Sequence, residues 1–494
     1  MFYEVFVRSF ADSNGDGIGD LPGLTAHLDA LNDGDPSTTT DLGVTGLWLM
    51  PVMASPSYHG YDVTDYHAVE PDYGTAADFH ALVKAAHARG MAVIVDLPIN
   101  HTSSQHPWFV ASKAGDPSRA DWYVWSDSLP GGSGWHQSGN RWYYGIFGEN
   151  MPDLNLDNPA VTAEVTDTAR YWLGEMGADG LRLDAAKHLI EAGGVTENTK
   201  GTHAWLRSFS QAIHAANPTA LIVGEVFDLT EVSASYVPAD VDMTFEFGLA
   251  QATVDSLRAG SGTRLAGALS DVARLERPEG FGSFLTNHDQ DRLASQLDGN
   301  LASLKLAAGL LLTGPGTPFI YYGEEIGLAG RKPDEQIRTP MPWNGTDPGH
   351  GFTTGTPWEP FAEGSTTVNV AAERDDPGSL LARYRDLIRL RSERPALRRG
   401  AIVPVGSSSD AVVATLRTDP SETLLVIANL SDTPVSDYAL TLDSGPLCGL
   451  PTAAAVLGSG RPEAPIVNAT GGFDAYRPLP ALAPRSVSVL TLAP

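Results

Sequence analysis

The sequence predicts an α/β protein built as a (β/α)8 barrel, with a small domain inserted after the third strand and an antiparallel β-sandwich at the C-terminal end. Three observations favour this fold class. Apolar strand-like runs alternate with helical patterns over residues 1–100 and 156–398, which is the period of a barrel. The alternation of strands and helices is absent over residues 101–155. Over residues 399–494 short strands of alternating polarity, separated by turn residues, replace it, which is typical of a sandwich.

The barrel strands are predicted from short apolar or alternating runs. The first should cover residues 2–7, with a helix after it over 24–31. The third should cover 91–97, after a helix over 75–89 that Gly90 ends. The other strands are expected at 46–51, 181–183, 221–224, 243–245, 284–286 and 318–322.

The two remaining parts differ from the barrel in composition. The insertion over 101–155 is rich in aromatic residues and glycine. A structureless loop of that length is improbable inside a compact domain, so we expect a small domain with most of these aromatic side chains in its core. The C-terminal strands are expected at 412–416, 423–429, 439–442 and 487–492. Their sequence shows no grouping of acidic, His and Arg residues, which predicts a structural role.

Charge and composition restrict the possible partners. The chain carries 32 basic and 60 acidic side chains, a net charge of −28, which argues against nucleic acid or an anionic membrane as a partner. The sequence contains no run of about 18 apolar residues, which is the length that a helix needs to cross a bilayer. Cys448 is the only cysteine, so no intrachain disulfide can form. The N-terminus lacks a signal-peptide pattern, so we expect a cytoplasmic protein if the chain is complete and an extracellular one if it is trimmed.

Three of the predicted strands lead directly to acidic residues. The runs over 180–183, 221–224 and 284–286 lead to Asp184, Glu225 and Asp289. A single pair such as Arg182 and Asp184 at a strand end would most simply be structural, because burying either charge alone costs several kcal/mol. Three such runs in one chain instead indicate that acids gather at one rim of the fold.

These segments resemble the α-amylase family of glycoside hydrolases (glycoside hydrolase family 13), and the resemblance extends over nearly the whole chain. It implies a barrel with a domain B after the third strand and with catalysis at the carboxyl ends of the strands. Residues 151–155 combine the versions of that segment found in oligo-1,6-glucosidases and neopullulanases. Lys187 and His188 resemble a pair of true α-amylases, whereas Ala185 replaces a Val that marks α-1,6 preference in relatives.

The resemblance also implies a role for each candidate residue. Asp184 matches the nucleophile, which Arg182 can keep ionised. Glu225 matches the general acid/base, and Asp289 matches the third carboxylate, which binds sugar hydroxyls. The other substrate-binding residues implied by the family motifs are His59, Tyr61, His101, Lys187, His188 and His288. Each of these histidines alone could be structural. One or two aromatic side chains of the insertion are expected to stack on sugar faces.

Residues 12–20 predict a calcium site. Oxygen donors recur at every second position, from the side chains of Asp12, Asn14, Asp16 and Asp20 and the carbonyl of Ile18. This copies the first part of a calcium-binding loop, although Gly23 in place of the final Glu excludes an EF-hand, and the family has a similar site. A plain turn built by Asx residues and glycine is the alternative. Asn100 matches a ligand of a second family site beside domain B, and could instead hold its loop by hydrogen bonds.

We therefore expect a retaining hydrolase that cleaves α-1,4 bonds of starch or maltooligosaccharides and acts as a monomer. A glucanotransferase or an exo-acting α-glucosidase would use the same residues, so both remain open. A non-catalytic amylase-like binding subunit would be expected to lose at least one of the three acids, and here Asp184, Glu225 and Asp289 are all present. Arg338 lies in a segment that forms a rim over the pocket in relatives.

Overall fold

Eight parallel strands close into a barrel in the computed structural model, which describes residues 1–275, 277 and 279–493. The strands are β1 (Phe2–Val5), β2 (Gly46–Leu49), β5 (Ala92–Pro98), β9 (Gly180–Asp184), β10 (Leu221–Gly224), β11 (Met243–Phe245), β12 (Phe281–Ser283) and β13 (Thr317–Tyr321). β1 pairs with both β2 and β13, which closes the ring. The predicted (β/α)8 barrel is therefore confirmed.

Helices connect and surround the strands. They are α1 (Leu21–Ala26), α2 (Leu28–Leu31), α3 (Ala76–Ala88), α4 (Pro107–Ala114), α5 (Pro159–Arg170), α6 (Lys200–Ala216), α7 (Thr230–Ala234), α8 (Phe247–Ala259), α9 (Thr263–Leu275), α10 (Leu293–Gln296), α11 (Leu301–Thr313), α12 (Asp334–Ile337), α13 (Val370–Glu373), α14 (Leu380–Glu393) and α15 (Pro395–Arg399). The single helix expected over 24–31 is two helices. α1 begins earlier because Asp20 caps it, and the chain leaves helical geometry at His27. In the described residues, no helix combines the length and apolarity needed to cross a membrane.

The seventh barrel strand lies earlier than the sequence predicts. The prediction of 284–286 is wrong, because β12 ends at Ser283. The apolar run misleads here, since Phe284 and Leu285 are buried by packing beyond the end of the strand. The strand itself contains Gly282, where a Cβ atom would lie 2.8 Å from the Phe319 ring. This close packing leaves room only for a glycine, and a glycine weakens the apolar pattern by which a strand is recognised in the sequence.

The insertion after β5 builds its own small sheet. α4 is followed by the three antiparallel strands β6 (Trp125–Ser126), β7 (Trp135–Ser138) and β8 (Arg141–Tyr144). Phe109 of α4 packs against Tyr123 and Tyr143, with ring centroids 5.0 Å apart in both pairs. These aromatic residues form a local core, as expected from the composition. A short hairpin, β3 (Met53–Ala54) and β4 (Asp65–Val69), follows β2.

The C-terminal part is antiparallel, as predicted. Its strands are β14 (Ala401–Ser407), β15 (Val412–Asp419), β16 (Glu422–Asn429), β17 (Leu440–Leu442), β18 (Thr452–Leu457), β19 (Phe473–Tyr476) and β20 (Ser486–Ala493). They follow the order β18-β20-β16-β15-β14-β17-β19, and β14 passes from pairing with β15 to pairing with β17. Side chains of β15 and β16 pack with side chains of β17 and β19 in one core, which includes Leu416, Leu425, Leu440 and Phe473.

Candidate active site

Three acidic side chains meet at the carboxyl ends of the barrel strands. Asp184 is the last residue of β9, Glu225 follows β10, and Asp289 lies in the loop after β12. They line one cleft of about 510 Å³. Its other lining residues are His59, Tyr61, His101, Phe147, Met151, Ala185, Lys187, His188, Phe227, Asp334 and Arg338. The structure therefore brings the predicted acids together with most of the predicted substrate-binding residues.

Arg182 lies beneath the cleft and joins the acids to one another. Its buried guanidinium packs 5.3 Å from the centre of the Trp48 ring. Nη1 donates to Asp184 Oδ1 and to Asp96 Oδ1, at 2.8 Å in both cases. Nη2 lies 3.0 Å from Glu225 Oε2. One cation thus faces three carboxylates, two of which belong to the predicted catalytic residues.

Asp96 is a site residue that the sequence analysis missed. It lies inside the apolar run of β5, so the pattern assigns it only to a strand. In the structure it is fully buried, and the Tyr61 hydroxyl donates to its Oδ2 at 2.9 Å. Burial raises the pKa of Asp96 to about 7, against the effect of Arg182. A carboxylate within a buried strand needs a cationic partner such as Arg182, and this requirement could have identified Asp96 from the sequence.

Burial raises the pKa of both Asp184 and Glu225, and Arg182 opposes the rise at each. At Glu225 the negative charges of Asp184 and Asp289 raise the pKa further. At Asp184 the charge of Asp289 acts in the same direction, but His288 opposes it. His288 lowers the pKa of Asp184 and is not among the main influences on Glu225. This difference favours Glu225 over Asp184 as the group that carries a proton.

His288 and Arg338 hold Asp289. Its Oδ2 lies 3.2 Å from His288 Nε2, and Arg338 Nη2 donates to its Oδ1 at 3.0 Å. Partial burial works against ionisation of Asp289, but His288 and Arg338 together keep its pKa below the usual range. Arg338 is itself buried and also pairs with Asp334 at 3.2 Å. The segment predicted as a rim thus supplies a cation to the third acid.

The other three predicted histidines, His59, His101 and His188, also line the cleft. Burial lowers the pKa of each, and that of His101 falls to about 4. They are therefore neutral near neutral pH, so each ring has one donor and one acceptor nitrogen. Nε2 of His101 is buried and has no hydrogen-bond partner in the part of the chain that the structure describes. It is thus available to a bound ligand.

Lys187 and two aromatic side chains line the rest of the cleft. Lys187 Nζ is already paired, 2.7 Å from Glu197 and 3.3 Å from Asp228. Phe147 and Phe227 are 43% and 64% exposed, which is unusual for side chains of this size. Phe147 belongs to the insertion, where sequence analysis expects one or two exposed aromatic residues. Phe227 has no such signal, because it follows Glu225 in a loop without periodicity.

Residues 12–20 form a loop of Asx turns. Asp12 accepts three backbone N–H groups of this loop at 2.7–2.9 Å. Asn14 and Asp16 each accept one more, and Asp20 caps α1. Among residues 1–275, 277 and 279–493, no three His, Cys, Asp or Glu side chains converge on a common metal position. The donors have the chemistry that calcium prefers, and the calcium site at Asp12, Asn14, Asp16, Ile18 and Asp20 stays a prediction.

A second group of oxygen atoms lies where the insertion meets the barrel. Asn100 Nδ2 donates to the His188 carbonyl at 2.7 Å, as the hydrogen-bonding alternative requires. Nearby, Asp153 Oδ2 and Glu191 Oε1 are buried without a hydrogen-bond partner in the described residues. Burial and the charge of Glu191 raise the pKa of Asp153 well above its usual range, and burial raises that of Glu191 to about 7. Both oxygens are buried, and the charge of Glu191 acts on Asp153, so a hard cation between them would satisfy both carboxylates.

Comparison with known proteins identifies the family. The family model for the α-amylase catalytic domain matches residues 4–400. Alpha-amylase 3 of Dictyoglomus thermophilum is 38% identical over 439 residues, covering 87% of this chain and 84% of that protein. The trehalose synthase/amylase of Mycobacterium tuberculosis is 34% identical over 511 residues, covering 88% and 82%. The crystal structure of an α-amylase from H. orenii matches 99% of both chains at 40% identity, with a TM-score of 0.84. The chain therefore belongs to the α-amylase family and is a glycoside hydrolase.

Proposed function

We propose that this enzyme is a retaining α-glucan hydrolase that cleaves α-1,4 bonds of starch or maltooligosaccharides through a covalent glycosyl-enzyme intermediate. The observation that supports it best is the contact of Asp184 and Glu225 with the two terminal nitrogens of one guanidinium. A retaining mechanism needs its two carboxyl groups about 5–5.5 Å apart, so that one can attack while the other protonates. Sharing the Arg182 side chain keeps both groups close and oriented at the mouth of one cleft.

In this proposal Asp184 attacks the anomeric carbon while the bond to the leaving oxygen breaks. Arg182 holds the attacking carboxylate in place, and Glu225 gives its proton to the departing sugar oxygen. Glu225 then accepts a proton from water, which attacks the anomeric carbon and releases Asp184. Asp289 binds hydroxyls of the sugar in its distorted form, with His288 beside it.

The leaving-group side of the cleft favours a glucan acceptor site. Lys187 Nζ donates to the carbonyl of Phe227, two residues after Glu225, at 2.9 Å, and the Phe147 and His188 ring centroids are 5.7 Å apart. Both Phe rings are exposed in the cleft lining. Flat aromatic rings pack well against the apolar faces of sugar rings. The net charge of −28 suits a neutral substrate.

Transfer to a sugar instead of water is the second candidate. The mycobacterial relative is named both trehalose synthase and amylase, which favours keeping this activity open. Both reactions pass through the same intermediate, so exclusion of water from the cleft would decide between them. Incubation with maltotriose distinguishes them, because products longer than the substrate require transfer. Parallel digestion of soluble starch and pullulan distinguishes chain cleavage from release of single glucose units and from attack on α-1,6 bonds.

The proposed roles are tested by Asp184→Asn and Glu225→Gln. We expect kcat on maltooligosaccharides to fall by about 10²–10⁴-fold or more, because each variant removes a group that acts in the transition state. The melting temperature should stay near that of the wild type, since both substitutions preserve shape. Asp291→Asn is the matched control. Asp291 lies two residues after Asp289, but it accepts a hydrogen bond from the Lys332 backbone N–H and does not line the cleft. Wild-type turnover in either test variant would contradict the assignment.

We further propose calcium as a structural ligand. The oxygen donors of residues 12–20 would hold one ion, and the oxygens of Asp153 and Glu191 that lack a hydrogen-bond partner in the described residues would hold another. The second ion would neutralise buried carboxylates and stabilise the junction of insertion and barrel. Neither ion takes part in the reaction described above.

A further inference from the structure

Glu4 is a buried carboxylate that none of the steps above uses. It lies in β1, inside the barrel, and is 1% exposed. Its Oε1 is 2.5 Å from Nδ1 of His288, and in the described residues this is the only hydrogen bond of its side chain. Burying a carboxylate this completely costs several kcal/mol unless it is paired with a charge. A positively charged His288 would supply that pairing.

We propose that Glu4 is a positioning residue that keeps His288 doubly protonated, so that the second N–H of the ring is directed at Tyr61 and the positive charge of the ring faces Asp289 at the floor of the cleft. This inference rests on the proposed function, because it concerns how the sugar-binding carboxylate is held during that reaction. Glu4 itself lies behind the imidazole ring and does not line the cleft. It acts on the substrate only through His288.

The contacts on the other side of the ring favour a hydrogen on Nε2. This nitrogen lies 2.7 Å from the Tyr61 hydroxyl oxygen and 3.2 Å from Asp289 Oδ2. The single hydrogen of Tyr61 is used in the bond to Asp96 Oδ2 at 2.9 Å, so its oxygen is an acceptor towards His288. A bare nitrogen would instead place its lone pair against the lone pairs of the Tyr61 oxygen and leave Asp289 without a positive charge on this side. With Nδ1 also donating to Glu4, the ring carries both hydrogens and a positive charge.

The surrounding charges support the same state. Burial alone would lower the pKa of His288, but Asp289 and Glu4 together raise it above its usual value. The other titratable or charged side chains that face the ring are Tyr61, Asp96, Asp184 and Arg338. Of these, Arg338 opposes the charge, and it is itself paired with Asp289 and Asp334. A raised pKa keeps the imidazolium to higher pH, so its contribution is lost only as the pH rises through that pKa.

The test compares Glu4→Gln with Glu325→Gln. Glu325 is an equally buried glutamate after β13 that accepts the Tyr3 hydroxyl at 2.8 Å and does not touch His288. The substrate is α-maltosyl fluoride, whose leaving group needs no proton from Glu225, so titration of Glu225 does not enter kcat/KM. We expect Glu4→Gln to lose about tenfold or more of kcat/KM at mildly alkaline pH, because one unit of pKa corresponds to a tenfold change. The loss should shrink as the pH falls and the ring regains its proton, while Glu325→Gln follows the wild type.

Nitrogen NMR of ¹⁵N-histidine-labelled protein provides a readout that is independent of activity. Wild-type His288, assigned by difference from His288→Gln, should show two protonated nitrogens at neutral pH, and Glu4→Gln should show a neutral ring. A neutral His288 in the wild type would overturn the proposal, as would a loss in Glu4→Gln that is the same at every pH. If Glu4→Gln does not fold, Glu4→Asp keeps the charge, and the wild-type spectrum still decides. Failure of the wild type to cleave α-maltosyl fluoride would refute the proposed function and leave the NMR result standing.

Discussion

Proton sharing at the active site depends on three carboxylates around Arg182. Asp96, Asp184 and Glu225 all lie within 3.0 Å of one buried guanidinium. One positive charge cannot balance three negative ones in a buried site, so the cluster retains a proton to higher pH than isolated carboxylic acids do. In the proposed reaction Glu225 carries that proton and acts as the acid. Asp184 is held by its ion pair with Arg182, and in the same proposal it is the group that attacks.

These protonation states predict the pH dependence of hydrolysis. Because the pKa of Glu225 is raised above its usual value, kcat/KM for maltooligosaccharides should decline on the alkaline side at a higher pH than an ordinary glutamate would give. On the acid side it should decline where Asp184 gains a proton, above 3.8. With α-maltosyl fluoride the alkaline decline should move to higher pH, since fluoride leaves without protonation. Identical alkaline limbs for the two substrates would show that Glu225 is not the titrating acid.

At the scale of single elements, the sequence predicts strand-end chemistry better than it predicts loops. Asp184 and Glu225 lie at the strand ends where the sequence predicts them, because they end or follow strands with clear apolar patterns. Asp289 reaches the cleft although its strand was misplaced, since Gly282 and buried residues beyond β12 obscure where the strand ends. Glu4 was assigned only to a strand, because a carboxylate in β1 has a role only once β1 lies near His288. Such long-range pairing leaves no local pattern.

Two loop aromatic residues should contribute to substrate binding. Phe147 comes from the insertion, with its ring 5.3 Å from His101, and Phe227 comes from the loop after β10. Phe147→Ala and Phe227→Ala should each raise KM for maltooligosaccharides about 2–10-fold, as expected when an aromatic contact worth roughly 0.5–1.5 kcal/mol is lost. Since both side chains are largely exposed, unfolding temperatures should change little. Leu229→Ala is the control, because Leu229 is 74% exposed and lies outside the cleft lining. An unchanged KM in both Phe variants would exclude stacking there.

At the scale of the whole molecule, the C-terminal part is fixed to the barrel through backbone carbonyls. Arg417 of β15 is 1% exposed and donates to the Thr313 carbonyl at 2.9 Å and the Gly400 carbonyl at 3.0 Å. Arg391 of α14 donates to the Leu312 carbonyl at 2.9 Å. Both arginines satisfy the carbonyl groups left free at the end of α11. No local sequence pattern predicts this junction, because the acceptors are main-chain atoms distant along the chain.

Calcium binding, as proposed, should stabilise the whole molecule, and the two candidate places can be separated. Exhaustive chelation should lower the melting temperature in calorimetry, because a ligand at a hundredfold excess over its Kd adds about 2.7 kcal/mol to the free energy of unfolding. Asp12→Ala should reduce this shift if residues 12–20 bind the ion.

Asp153→Asn should change the melting temperature in opposite directions, depending on whether its site holds calcium. With calcium bound there it lowers the melting temperature, whereas without calcium it raises it, because the buried and unpartnered Asp153 Oδ2 is destabilising. No chelation shift in the wild type, together with a more stable Asp153→Asn variant, would refute calcium at both places.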